Sequence, residues 1–538
     1  MERRYQRRGY GKIRSALLAT AIGLTAILAA CSNSSDSGSA SGNASSQEKV
    51  ALKVEVFDRG NAPSGLSVTD NYLTRYVQEN FGDPNNIEVQ YVPVARSEEV
   101  QKLNVLMAST NDVPDIVFTY DSGTFQRYAS QGGLMDLTET LDEHGPNLKA
   151  FLGEDTLKYG QIDGQQLAIP GRRLVLGKYS SYIRQDWLDQ LGLSVPQTTD
   201  ELYAVLKAFK EQDPGNTGGK VIPLGMSVAP AQFESLIWSF IEPLTEEQKY
   251  TLTQKLGSSD YPVLLPGFKE ALRFMNKLYN EGLISKDFAL DKDKKQLWQD
   301  VQNGLVGAFS EDAGELYFDY NGTYKNLQTN VPGAVMTPID PFSNSEGKHP
   351  KPGYAPNAMY IMIPKSSERA VEAIKYLDWM ASGDNLFFMQ NGVEGENYTL
   401  EDGIPVLNAD AAQEIKDRLF NYGDMAIIVN GKYIGETEQN NEAYIRQTPK
   451  EYHEDMRKSV DISNTDKLDQ IVLSRPIEAE SKYGSVLTDK YNEMIVNTTM
   501  IGTDKFDATF DSLMKEYMAS GGQAILDERT GVYKEMNP

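Results

Sequence analysis

Apolar and polar positions near the start of the chain switch between two periods. Leu52, Val54 and Val56 alternate with Lys53 and Glu55, which predicts a strand ended by Asp58-Arg59-Gly60. Asp70 is positioned to cap a helix in which Tyr72, Leu73, Tyr76 and Val77 share a face. Ile87, Val89 and Tyr91 alternate again. Ser97 then opens a second helix, with Val100, Leu103, Leu106 and Met107 at helical spacing. The short apolar run Ile116-Val117-Phe118 completes strand, helix, strand, helix, strand, the order of a parallel α/β sheet.

A second series follows. Gln166 to Arg172 reads as a short strand closed by Pro170-Gly171, and Tyr179 to Arg184 as another. A helix from Gln185 to Leu191 stops at Gly192. Thr198 and Glu201 have capping-box spacing ahead of the stripe Leu202, Tyr203, Leu206, Phe209. Further on, Ala271 to Tyr279 is helical and Leu305 to Phe309 is a buried strand. Val335-Met336 and Met359 to Ile363 are strands, and Val371 to Met380 is a helix capped by Ser367. From Asn385 to Ser481 the periodicity weakens. Phe506, Phe510, Leu513, Met514 and Tyr517 restore helical order before Gly521-Gly522. Trp187 and Trp379 lie within amphipathic helices and are expected in the core.

The remaining apolar run, Ala16 to Ala30, is 15 residues long, preceded by five arginines and one lysine. It is too short to span a bilayer comfortably and has the layout of an export signal. Its end, Leu28-Ala29-Ala30-Cys31, resembles the lipobox of bacterial lipoproteins. That resemblance implies cleavage before Cys31 and a lipid on its thiol. Ser32 to Gln47 contains eight serines and too little apolar surface to fold, so it is read as a flexible tether.

Removing the leader moves the formal charge from −24 to −29, a surface that repels nucleic acid. Cys31 is the only cysteine, so once lipidated it leaves no disulfide, thiolate metal site or thiol nucleophile. Three histidines far apart in sequence give no metal signature. The mature chain of 508 residues exceeds one typical core and predicts two lobes.

The order of several stretches resembles extracellular solute-binding protein family 1, the carbohydrate-class lipoproteins of ABC importers, in its large Gram-positive-type branch. They include Val113 to Phe118, Tyr128 to Thr138, Ile183 to Leu193, Pro196-Gln197-Thr198, Glu281 to Ile284, Gly304 to Phe309 and Gly392 to Glu396. The resemblance implies an α/β, periplasmic-binding-protein-like (type II) fold, two lobes joined by a hinge that close over a ligand. The expected division is a signal peptide over 1–30 and a tether over 31–47. The first lobe is placed at 48–174 and 333–382, the second at 175–332 and 383–538 with helical additions. The crossover is expected near Arg172 to Lys178. It implies a carbohydrate ligand, an ABC permease with its ATPase subunits, membrane contact through the lipid anchor only, and a monomer outside the cell. Many relatives carry a calcium loop where Asp213 to Lys220 stands. Here Gly215, Thr217 and Val221 occupy ligand positions, so a metal-free turn is expected, and no cofactor.

Ligands of open α/β sheets bind beyond the carboxyl ends of strands, and sugars need planar aromatics with charged or amide groups. Asp58 and Arg59, Tyr120 and Asp121, Arg172, Phe233 and Trp238, Asp312 and Tyr354 occupy such loops and are the candidate ligand-binding residues. Trp238 also fits an apolar helix stripe, and Asp58, Arg59 and Arg172 also fit local pairing. No catalytic residue stands out. A surface glycoside hydrolase or lyase remains the competing reading, because two carboxylates suffice for its chemistry. A receptor or sensor for peptides or other solutes is the third.

Overall fold

The alternation that opens the domain does form a strand, but it is buried on both faces. In the computed structural model, which describes residues 49–537 except 110–112, 258, 319–321 and 474, Leu52, Val54 and Val56 are core residues. Glu55, read as solvent-facing, is 1 % exposed. A sheet covered by helices on both sides has no polar face to offer it. Its carboxylate accepts a hydrogen bond from Phe118 N at 3.2 Å, and burial pushes its pKa up to about 8. The leader, Cys31 and the tether lie outside the described residues.

Two sheets organise residues 49–537. Their strands are β1 (Val50–Asp58), β2 (Ile87–Ala95), β3 (Val117–Thr119), β4 (Ile169–Arg173) and β5 (Tyr179–Arg184). Then come β6 (Ile222–Leu224), β7 (Val306–Asp312), β8 (Met336–Ile339), β9 (Asn357–Met362) and β10 (Val429–Asn430). In the first sheet β1 and β2 pair in parallel from Val50↔Ile87 to Asp58↔Ala95. The bridge Val54↔Ile116 joins β1 to the β3 segment. The row then runs β3-β9-β4-β10, with β9 antiparallel to both neighbours. The second sheet has the order β8-β5-β7-β6. Each sheet has its own apolar core, one around Phe57, Phe118 and Ile361, the other around Trp187, Phe209 and Met275.

The chain passes between the sheets at 174–178, where β4 ends and β5 begins. It returns between β8 and β9 and leaves again after β10. Two segments therefore sit differently from expectation. Met336–Ile339, expected from the resemblance in the first lobe, pairs with β5 of the second sheet. Leu386, Met389 and Met425 to Val429, placed in the second lobe, pack in the first core. A short apolar run looks the same whichever sheet receives it, so only pairing distinguishes them.

Local details shift similarly. Asn71, not Asp70, caps the helix Tyr72–Val77 in a reciprocal box with Thr74, and Asp70 pairs with Arg75 instead. Ser97 lies in a single tight turn, and the helix begins at Glu99. Pro170-Gly171 does not close a strand but lies inside β4. Glycine is needed there because a Cβ would stand 2.9 Å from Ile427 O of the crossing chain.

The helices Glu478–Met500, Phe506–Tyr517 and Gln523–Met536 pack on the second core. A fully buried Arg529 pins the last of them. Its Nη1 donates to Tyr250 O and Thr253 O, both at 2.6 Å, and its Nε lies 2.8 Å from Glu480 Oε1. Removing one member of a buried ion pair strands the other charge. Arg529→Met is therefore expected to lower the unfolding free energy by about 3–5 kcal/mol. Glu480→Gln in the same chain should restore part of that loss. Urea unfolding of the three variants tests this, and an unchanged midpoint for Arg529→Met would contradict it.

Candidate ligand-binding cleft

Strand β3 delivers Tyr120 to the gap between the sheets, and the adjoining loops hold it there. Glu99, at the first turn of its helix, accepts from Thr119 Oγ1 at 2.6 Å and from Tyr120 N at 2.7 Å. It also pairs with Arg96. The Arg96 guanidinium is thereby held between two rings, 4.8 Å from the Phe57 centroid and 4.9 Å from that of Tyr120. Next along the chain, Asp121 caps the helix Ser122–Ser130 by accepting from Thr124 N at 2.6 Å. Ser122 Oγ reaches the second lobe and donates to Gly257 O at 2.6 Å.

The connections between the sheets supply the next group. Tyr354 N donates to Leu176 O at 2.9 Å, which ties two connections together. The Tyr354 ring then lies over the Arg173 guanidinium at 4.2 Å and near Lys178 Nζ at 5.5 Å. Lys178 also approaches Glu234 at 3.5 Å. Burial lowers the pKa of Arg173 and raises that of Tyr354.

Two cavities open here. The smaller, about 160 Å³, has Tyr120, Arg173, Tyr354 and Asn357 on one side and Lys255, Ser259 and Gln470 on the other. The larger, about 390 Å³, contains Trp238, Lys178 and Glu234 and shares Ser259 and Gln470 with the first. Ser259 and Gln470 belong to both walls, so the two cavities adjoin along the groove between the sheets. Beside it, at the end of β7, Glu311 is fully buried. It accepts from Lys294 Nζ at 2.9 Å and Gln232 Nε2 at 3.2 Å. Burial pushes its pKa up to about 7, with Lys294 opposing and Asp312 adding to the rise. Burial also raises the pKa of Asp312, against the pull of Lys294 and Lys178.

Of the expected residues, Tyr120, Trp238 and Tyr354 line the groove, and Asp312 stands beside it among the same charges. Asp121 is taken up as a helix cap at the lobe contact. The others serve elsewhere. Asp58 accepts from Gly60 N at 2.8 Å. Arg59 forms a two-pronged pair with Asp424 at 2.6 and 2.8 Å. Phe233 is 1 % exposed within the second core, so its ring has no free face.

Arg172 packs its guanidinium 5.8 Å from the Phe151 and Tyr433 rings and donates to Phe151 O at 3.3 Å. Its neighbour Arg173 faces the groove instead, because successive strand residues point to opposite sides. Residue pattern alone missed Arg173, Arg96, Lys178 and Lys255. Strand alternation through β4 was the available signal for Arg173; Lys255 had none. In the turn at Asp213, Thr217 N and Oγ1 donate to one carboxylate oxygen at 2.9 and 2.7 Å, and Gly219 N to the other at 3.0 Å.

The chain matches the family described as bacterial extracellular solute-binding protein over residues 67–385. It is 29 % identical to lipoprotein LipO of Bacillus subtilis (strain 168) over 390 residues, covering 70 % of this chain and 72 % of that one. It is 24 % identical to the polygalacturonan/rhamnogalacturonan-binding protein YtcQ of the same strain, over 97 % of this chain and 99 % of that one. Among solved structures, the ABC-transporter substrate-binding protein FusA of S. pneumoniae, in complex with kestose, superposes with a TM-score of 0.65 at 16 % identity. The match covers 90 % of this chain and 99 % of FusA, and it shows the shared fold.

The buried carboxyl of Glu311 gives a pH signature. Its folded pKa, about 7, lies above its ordinary value of 4.5. Its contribution to stability is therefore present below about pH 4.5 and lost as the pH rises through about 7. Relative to wild type, Glu311→Gln should gain stability between about pH 5 and pH 8. Denaturant unfolding across that range reads the difference, and parallel curves for the two proteins would refute it.

Proposed function

Because the chain belongs to the bacterial extracellular solute-binding protein family, we propose that it is a membrane-tethered receptor that captures an oligosaccharide for an ABC importer. Its fold is the type II periplasmic-binding-protein-like α/β fold. The groove between the two sheets carries the reading. It is walled from both sides, it presents Tyr120, Tyr354 and Trp238, and its two cavities adjoin at Ser259 and Gln470. Aromatic faces suit sugar rings, and a groove longer than one cavity suits an oligomer. FusA, with kestose, and YtcQ, named for pectic polymers, are relatives of this kind.

The proposed working cycle is closure of the two lobes over the ligand. The first lobe comprises 50–173 and 357–430, the second 179–339 and 437–537. The segments 174–178, 340–356 and 431–436 form the hinge. A ligand in the groove touches both lobes only when they are close, so it shifts the population towards the closed form. The closed form is the one presented to a permease and its ATPase subunits. The groove residues bind; none has a catalytic assignment.

The anchor reading rests on Cys31 and the segment before it. Among the described residues no helix is long and apolar enough to cross a membrane. Lipid on Cys31 would hold the receptor at the outer face of the cell membrane, raising its concentration beside the transporter. Ser32 to Gln47 would let the lobes turn.

Two measurements check these statements. Thermal unfolding with a panel of oligosaccharides should show one stabilising class, by about 2.7 kcal/mol at 100 times the dissociation constant. A shift with peptides and none with any sugar would remove the carbohydrate assignment; release of shorter sugars would point to an enzyme. In the native host, Cys31→Ser should move the protein from the membrane fraction to the medium. Continued membrane retention would contradict the lipid anchor.

A further inference from the structure

The smaller cavity has an unusual charge balance. The chain carries a formal −24, yet this cavity is lined by Arg96, Arg173 and Lys255 and by no carboxylate. Arg96 is already compensated by Glu99. The other two form no ion pair among the described residues, although the charge of Glu480 reaches Lys255. Arg173 donates from Nη1 to a neutral acceptor, Asn430 Oδ1, at 3.1 Å, and its buried Nε has no acceptor. Among the described residues Lys255 Nζ reaches Ile471 O at 3.3 Å and Gln470 Oε1 at 3.5 Å.

The neighbouring carboxylates have other duties. Asp424 is held by both prongs of Arg59. Glu480 accepts from Lys255 N at 3.0 Å and stands against Arg529. Asp260 accepts from Ile471 N at 2.9 Å. Glu234 answers Lys178, and Glu311 answers Lys294. The charge of Asp312 does reach Arg173, but burial is the dominant influence and still lowers the Arg173 pKa.

A cation taken out of water without a counterion is unfavourable unless something replaces its hydration. Here Arg173 is such a cation at the end of β4, and the partly exposed Lys255 stands on the hairpin of Gln254–Leu256 and Ser259–Tyr261, on the far wall. Tyr120 and Tyr354 stand beside them. A planar guanidinium fork matches a carboxylate, and an ammonium adds a point charge from the other side. The aromatic faces accept the apolar face of the ring that bears it.

We propose that the smaller cavity seats the carboxylate of an acidic, uronate-containing oligosaccharide, held by Arg173 from the first lobe and Lys255 from the second. The larger cavity, which adjoins it at Ser259 and Gln470 and is walled by both carboxylates and lysines, takes the neighbouring sugar units. The assignment rests on the receptor reading and makes it more specific. A bound carboxylate completes the charge balance only when both walls meet it, so ligand charge is itself a closing force.

Calorimetry on the wild-type protein tests the assignment with three sets of probes. They are trimers of galacturonate, guluronate and mannuronate; methyl-esterified trigalacturonate, which keeps the skeleton and removes the charge; and the neutral trisaccharide kestose with a sulfated trisaccharide. A uronate trimer should bind at least about tenfold more tightly than the ester and weaken as salt is raised. Arg173→Met and Lys255→Met should each weaken the uronate at least about tenfold but the ester by less than about threefold, with Lys255→Arg largely restoring binding. Thermal midpoints near wild type establish that the variants are folded; should either methionine variant unfold, Arg173→Lys and Lys255→Gln replace it. Preference for the ester or for kestose overturns the assignment and leaves the receptor reading intact. Preference for the sulfated sugar overturns the carboxylate. No binding by any saccharide overturns both.

Discussion

Tyr354 on one inter-sheet connection lies across Arg173 and Lys178 on another, and the cleft depends on this contact. The ring lies against two cations that flank the 174–178 connection. Its backbone N–H fixes the register of the two connections through Leu176 O. Because both connections leave strand ends, the clamp also sets how far apart the two walls of the groove stand. A hinge built of extended chain has few packing contacts of its own, so a cation–ring contact supplies order at the point that must bend.

Burial does the rest of the electrostatic work. The protein is acidic overall, but its charges are sorted by depth. The larger cavity has carboxylates as well as lysines in its wall, whereas the smaller one is lined by Arg96, Arg173 and Lys255 and by none of the described carboxylates. Glu311 and Asp312 show the same desolvation acting on acids: their pKa values rise although Lys294 opposes the change. An acidic surface and a cationic small cavity are compatible because water and salt screen the exposed charges, whereas buried Arg173 is screened much less. The C-terminal helices contribute indirectly. The helix Glu478–Met500 supports the hairpin that carries Lys255, through Glu480 and the hydrogen bond to Lys255 N.

Much of the architecture was legible in the chain. The alternation at Leu52, Val54 and Val56, the stripe at Leu202, Leu206 and Phe209, and the left-handed stop at Gly192 are local patterns, and each produced its element. The site was legible in part. Tyr120, Trp238 and Tyr354 could be picked out as aromatics at strand ends. Arg172 was chosen where Arg173 faces the groove, an error of one residue that a period of two converts into the wrong face. Phe233 and Trp238 occupy the same short stretch, yet only the tryptophan reaches a cavity wall.

By itself the sequence determined many of the elements, the basic and then apolar pattern ahead of Cys31, the absence of any other thiol, and the presence of two α/β series in one chain. These follow from neighbours within a few residues, where side-chain period and backbone preference act directly. Only the tertiary structure decided that Met336–Ile339 joins β5, that Val429–Asn430 joins β4, and that Lys255 meets Arg173 across a cavity. Such pairings join positions tens to hundreds of residues apart. They are selected by which surfaces bury one another and which charges are left without a partner, and no local pattern carries that information.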